Sequence, residues 1–203
     1  MKIGTAEPNS TFLTQGLALA TVLEAAGIPG PIEVTEARSA SIENAESLAA
    51  GQIDYGFMAA NWIGRAMRGE APFTQPTQLR MVSPMNLGPM FFIAPADSDL
   101  RTVEQLRGKR VSVGPATSGT AQHGRCIFGA LGVSFDDFTP LYMDFASGAE
   151  ALRRGEIDAQ LQCPIPNRVM TALDADFDLR VLAFEPGGFE KVLAAYPVYG
   201  CAI

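Results

Sequence analysis

Apolar positions in the first quarter of the chain recur at two periods, and each period predicts an element. Lys2 to Thr5 alternates over a strand-length stretch, and the polar loop Glu7-Pro8-Asn9-Ser10-Thr11 follows. From Phe12 the apolar residues Leu13, Leu17, Ala20, Leu23 and Ala26 fall near every 3.6 positions, the period of a helix with one buried face. Gly27 is placed to end that helix, since glycine enters the left-handed conformation without steric cost. A strand over Ile32 to Glu36, a serine-rich turn, a helix ending at Leu48-Ala49-Ala50-Gly51 and a strand over Ile53 to Met58 complete the first series.

The series repeats. Arg110 to Val113 reads as a strand, Gly114 to Thr120 as a second small polar loop, and a helix runs on towards Leu131-Gly132. Strand Thr139 to Met143, a helix ending at Leu152-Arg153-Arg154-Gly155 and strand Ile157 to Gln162 follow in the same order. The pattern Leu-x-x-Gly-x-Ile-Asp closes both series, at 48–54 and at 152–158. Strands alternating with helices over short loops predict parallel β-α-β units. The fold class expected is therefore α/β with two lobes, each a small, mainly parallel sheet flanked by helices. Of the two apolar runs in the connection, Arg80 to Ser83 and Pro89 to Ala94, the second is expected to be a strand crossing to lobe two, and Arg180 to Phe184 the return crossing. The expected divisions are 1–88 for lobe 1, 89–183 for lobe 2 and 184–203 for a return to lobe 1. Two crossings would form a hinge.

Composition narrows the function. Of 203 residues 47% are hydrophobic and 18% charged, and the formal net charge is −7. That acidity, with no run of Lys or Arg, argues against nucleic acid, whose phosphates need clustered cations. Arg107, Lys109 and Arg110 are the densest basic group and read as a solvated turn around Gly108. No apolar run approaches the roughly 20 residues of a membrane-spanning helix. No secretory leader precedes Ile3-Gly4-Thr5, which fits a mature periplasmic protein whose leader has been removed, or a cytoplasmic one if Met1 is native. Cys126, Cys163 and Cys201 form neither a disulfide framework nor a CxxC metal site. His123, the only histidine, is expected at a helix surface or cleft edge and supports no metal site or nucleophilic relay. Asp136-Asp137 and Asp174 with Asp176 read as solvated surface, and no phosphate-binding loop, dinucleotide fingerprint or nucleophile elbow is present. No catalytic residue, metal or cofactor is assigned.

Ligands of open α/β sheets bind beyond the carboxyl ends of the strands. Each series places small hydroxyl residues there, at the start of a helix whose unpaired N–H groups attract an anion. The candidates are Asn9, Ser10, Thr11 and Phe12 in the first loop and Ser118, Gly119 and Thr120 in the second. Ser and Thr are also the ordinary N-caps of any helix, so ligand contact and simple capping both remain open. Ser41 is expected to cap the helix after the serine-rich turn, and Ser147 to Glu150 fits a capping box. At the ends of the two third strands stand Asn61, a possible donor, Trp62, a pocket wall or a core residue, and Cys163, which lacks a base to make it a nucleophile.

The stretch Leu106-Arg107-Gly108-Lys109-Arg110-Val111-Ser112-Val113-Gly114-Pro115-Ala116-Thr117-Ser118-Gly119-Thr120 resembles the TAXI-type solute receptors of TRAP transporters, as do Ile3-Gly4-Thr5, Gly51 to Phe57 and Gly155-Glu156-Ile157-Asp158. The resemblance implies a two-lobed periplasmic-binding-protein-like (type II) fold and a small anionic organic solute bearing a carboxylate, such as an amino acid or dicarboxylate. It also implies delivery to the TRAP membrane subunits. The first loop departs from the family's glycine-rich pattern. Family members also continue beyond the point matching Ile203, so the C-terminal part of lobe 1 is expected to be missing, the chain being either truncated or a short relative whose first lobe is completed differently, for example as a homodimer. The alternatives are a cytoplasmic sensor of the same fold and, less favoured, an enzyme built on it.

Overall fold

A computed structural model describes residues 1–8, 10–85, 88–116, 118–163, 167–197 and 199–200. The chain divides into two compact units: 1–86 with 117–119, and 87–116 with 120–203.

The first unit is built on three short parallel strands, β1 (Lys2–Gly4), β2 (Glu33–Thr35) and β3 (Tyr55–Gly56), in the order β2-β1-β3. Lys2 pairs with Glu33 and Ile3 with Tyr55, so all three carboxyl ends share one edge. Helix α1 (Thr11–Ala25) leaves β1, α2 (Ser41–Ala49) leaves β2 and α3 (Ala60–Arg68) leaves β3. Asn44 of α2 ties this edge together, its Nδ2 donating to the carbonyls of Thr5 at 2.8 Å and Phe57 at 2.9 Å. Gly4 makes room for it, because a Cβ there would lie 2.4 Å from Asn44 Oδ1. Ala45, Trp62, Ala66 and Phe73 form a core cluster, with Trp62 and Ala66 one helical turn apart on α3.

The second unit holds a five-stranded sheet of order β6-β5-β7-β4-β8. Strands β5 (Arg110–Ser112), β6 (Thr139–Leu141) and β7 (Ala159–Gln162) are mutually parallel, whereas β4 (Phe91–Pro95) runs antiparallel to both β7 and β8 (Leu179–Val181). One apolar cluster joins Phe92, Val111 and Leu161 to Ile127 and Phe128 of α4 (Gly119–Ala130). A second cluster joins Ile93 to Leu152 of α5 (Phe145–Arg153) and Leu173 of α6 (Arg168–Asp174). Side chains alternate across each strand, so the two clusters cover opposite faces of the sheet.

Four expectations change. Residues 184–200 do not return to the first unit: α7 (Gly188–Ala195) and Phe184 belong to the second, where Val192 is buried in its core. The strand foreseen over 53–58 is only two residues long, and Ala59 to Trp62 turns at once into α3 rather than ending a strand. Ser41 is not the cap of α2. Ala40 holds that position with φ 46° and ψ −104°, and Ser41 is the first helical residue. Ser147 is not a cap either. Asp144 caps α5, its carboxylate accepting from the Ser147 N–H at 2.7 Å, because it stands immediately before the first helical residue, where a side-chain oxygen meets the open N–H groups of the first turn.

Candidate functional site

At the carboxyl edge of the first unit the three helix starts lie above three parallel strands, and small polar residues occupy them. Ser10 is 8% exposed and caps α1, its Oγ accepting from the Leu13 N–H at 3.2 Å. Thr11 opens the helix. Phe12 stacks on Phe57 with 5.5 Å between ring centres, which places it against the sheet end as a partial core anchor. Ser41 is buried, and its Oγ accepts from the Ala59 N–H at 2.9 Å, joining the start of α2 to the turn before α3. Asn61 and Trp62 open α3, and Trp62 is fully buried, with its ring edge-on to Phe73 and the Arg65 guanidinium 5.2 Å above its face. Of the two roles foreseen for Trp62, the core role is the one its ring takes.

Ser118 and Gly119 group with this unit. Ser118 is buried. A Cβ on Gly119 would stand 3.3 Å from Trp62 Nε1 and 3.9 Å from Ser41 Oγ. Ser41, Trp62 and Gly119 are thus brought together, although they are far apart in sequence. Asn9 lies outside the described residues.

In the second unit the loop after β5 and the end of β7 meet. Thr120 Oγ1 lies 3.5 Å from Cys163 Sγ. His123, one turn along α4 from Thr120, is not at a surface or cleft edge: it is 8% exposed, and its Nδ1 makes a 2.5 Å hydrogen bond with the Tyr199 hydroxyl. Burial lowers the His123 pKa to about 4, so the ring is neutral at physiological pH. Tyr199 is pushed above the ordinary phenol range by burial, with further contributions from Cys126 and other neighbours, Cys163 among them. Cys126, Cys163 and Tyr199 are each partly buried, and Cys126 hydrogen-bonds the Tyr199 hydroxyl. No cluster of three or more His, Cys, Asp or Glu among the described residues could hold a metal ion.

Two features escaped the sequence reading. One is the His123–Tyr199 pair. The other is a run of buried amides in which Asn167 Nδ2 donates to Gln162 Oε1 and Gln162 Nε2 to Gln160 Oε1. Gln160 Nε2 then donates to the Phe145 carbonyl at the start of α5. Two glutamines alternating on a fully buried strand, Ala159-Gln160-Leu161-Gln162, were the available signal, since buried amides need partners. A depression of about 420 Å³ also marks the second unit, at the amino ends of β5 and β7, where Arg110 and Asp158 already pair with each other. It lies at the end of the strands opposite to the hydroxyl loops.

The same fold occurs in periplasmic solute-binding proteins. The aliphatic sulphonate binding protein SsuA of Escherichia coli is 20% identical, with a TM-score of 0.58, over 90% of this chain and 59% of its own. The alkanesulfonate-binding SsuA of Xanthomonas axonopodis pv. citri, bound to MOPS, is 24% identical with a TM-score of 0.58, over 90% and 60%. The arginine-bound form of truncated ArgBP from T. maritima is 16% identical with a TM-score of 0.56, over 98% and 93%. The chain thus spans about three fifths of the length of the two SsuA proteins. The NMT1-like family model matches residues 3–203, and the chain belongs to the NMT1-like family.

Proposed function

We propose that this protein is an extracytoplasmic solute-binding receptor that captures a small organic anion and passes it unchanged to a membrane transporter. The observation that carries this reading is the set of hydroxyl-bearing helix starts at the carboxyl edge of the first unit, Ser10 on α1 and Ser41 on α2, with Gly119 leaving backbone room beside Ser41 and Trp62. Helix N-termini supply N–H groups and a partial positive charge, so they hold an anion without a buried lysine or arginine, even in a chain of net charge −7. In the second unit by itself, Thr120 at the start of α4, with Cys163 at its side, is the corresponding hydroxyl-bearing candidate. Thr11, Phe12, Asn61 and Ser118 are the remaining lining candidates. The solute class is a carboxylate, either an amino acid or a dicarboxylate, with sulfonates the nearest competitor, because both anions present the same oxygen acceptors to backbone N–H groups. The resemblance of Leu106 to Thr120 favours a TRAP-type membrane partner.

The test is a thermal-shift screen of amino acids, dicarboxylates, keto acids and sulfonates. A ligand at a hundred times its dissociation constant adds about 2.7 kcal/mol to the stability of the folded state. One class should raise Tm by several degrees and be recovered chemically unchanged, and Ser41→Val should abolish the shift. Turnover of the solute would replace the receptor with an enzyme, and an unresponsive protein would remove the anion reading.

A further inference from the structure

The depression of about 420 Å³ at the amino ends of β5 and β7 takes no part in the receptor reading. Phe91 pairs with Gln162 and Val111 with Ala159, so the end of β4, the start of β7 and the start of β5 stand side by side in that order at this edge of the sheet. Asp99, on the turn after β4, and Lys109, just before β5, therefore flank the depression from strand ends two spacings, or roughly 10 Å, apart. Both line it, both are exposed, and neither is ion-paired with a described residue. Asp158, which stands between them at the start of β7, has both carboxylate oxygens engaged by Arg110, and this leaves the Lys109 ammonium to a further anion. Leu100 and Ile157, both buried, add apolar lining.

Two guanidiniums hold the turn that carries Asp99. Arg101 Nη1 donates to the carbonyls of Ser98 at 2.6 Å and Leu100 at 2.9 Å, and Arg180 Nη1 donates to the same two at 3.1 Å and 3.3 Å. A rim fixed in advance loses little freedom when a ligand enters.

We propose that this depression is a ligand site in its own right, for a small zwitterion with an apolar spacer between its ammonium and its carboxylate, such as an ω-amino acid. Lys109 takes the carboxylate, Asp99 takes the ammonium, and the methylenes lie on Leu100 and Ile157. With one unpaired charge of each sign, and Arg110 and Asp158 neutralised in their own pair, the lining complements a net-neutral molecule better than a simple anion or cation. The site lies wholly within the second unit and uses none of the hydroxyl-bearing helix starts, so it and the receptor reading stand or fall separately.

The test titrates ε-aminocaproate, caproate and hexylamine into the full chain and follows its backbone N–H groups by nuclear magnetic resonance. The zwitterion should give saturable shifts centred on residues 98–110 and 155–158, and each single-charge analogue should bind at least about threefold more weakly. Lys109→Gln and Asp99→Asn, both at exposed positions, should each weaken ε-aminocaproate by a similar factor. Either variant leaving the affinity unchanged overturns the assignment, as does an analogue that binds as tightly as the zwitterion. The map on the unmutated protein is independent of any variant's folding. No saturable shift by about 10 mM refutes the site, because binding weaker than that is under roughly 3 kcal/mol. Shifts centred instead on the helix starts at Thr11, Ser41 and Thr120 would also refute it, while supporting the receptor reading.

Discussion

Asp158 and Arg110 clasp each other through backbone and side chain together. The Arg110 N–H donates to Asp158 Oδ2 at 2.7 Å, the Asp158 N–H donates to the Arg110 carbonyl at 2.8 Å, and the guanidinium closes on Oδ1 at 2.8 Å. Asp54 repeats the backbone part in the first unit, accepting from the Lys2 N–H at 2.7 Å and donating to the Lys2 carbonyl at 2.9 Å. The aspartate that ends each Leu-x-x-Gly-x-Ile-Asp pattern therefore fastens the third strand of its series to the start of the first. Asp158→Ala should lower stability by about 1–2 kcal/mol, read from urea unfolding at neutral pH. Hydrogen bonds from Arg110 hold the Asp158 pKa below its ordinary value, which fixes the sign of the pH effect. Its contribution is complete above the unfolded-state pKa and is lost as pH falls through the lower folded value. The gap between wild type and Asp158→Ala should therefore close in acid, and a gap that widens there would contradict the clasp.

That clasp shows which part of the molecule the sequence exposes. Helix periods, terminal glycines and a repeated motif are local signals, and they placed α1, α2, α4 and α5 and the parallel strands between them within a few residues. The Ser10 cap was legible for the same reason. What lay hidden depends on chain segments meeting in space. His123 looks like a lone polar residue until Tyr199, far along the chain, covers it. Ser41 looks like a cap until the Ala59 N–H claims its hydroxyl and moves the helix start back to Ala40. The fate of 184–200 turned on which unit offers the better apolar surface for Val192, and no spacing rule contains that.

Gly148 and Gly129 stand on helices of the same unit and should respond oppositely to alanine. A Cβ at Gly148 would lie 2.3 Å from Gln160 Nε2 and 2.8 Å from Ser112 Oγ, in the buried amide run. Gly148→Ala should cost about 1–3 kcal/mol through overpacking. Gly129 is exposed with nothing within 4 Å of its Cβ position, so Gly129→Ala should gain roughly 0.5–1 kcal/mol of helix propensity. Thermal unfolding of the two variants decides the point, and a stabilised Gly148→Ala would mean that α5 lies farther from β7.

Ala40 has a backbone conformation that suits glycine, φ 46° and ψ −104°, at the cap of the helix that begins with Ser41. Strain of this kind costs of order 1–3 kcal/mol and persists where the surroundings fix the turn. Ala40→Gly should raise stability by up to about 1 kcal/mol, the relieved strain being offset in part by the freer unfolded chain. If the strain helps to aim the Ser41 hydroxyl, the same variant should bind its solute more weakly despite its higher Tm. A drop in Tm would show that the turn is unstrained.

His123 sets the protein's response to mild acid. Its folded pKa of about 4 lies below the ordinary histidine value near 6.5, because burial disfavours the charged ring. Between those two values the unfolded chain binds a proton that the folded chain refuses, so stability falls as pH drops through the window and levels off below about 4. The full difference corresponds to up to about 3 kcal/mol. His123→Gln removes the titrating group while keeping a polar side chain beside Tyr199. It should lose some stability at pH 7 and remove most of the decline that the wild type shows between about pH 6.5 and 4. Denaturant unfolding across that range, on both proteins, separates this loss from carboxylate titration, which the two share. Parallel pH profiles for the two proteins would mean that the ring is solvated in the folded state and that its bond to Tyr199 is not a buried contact.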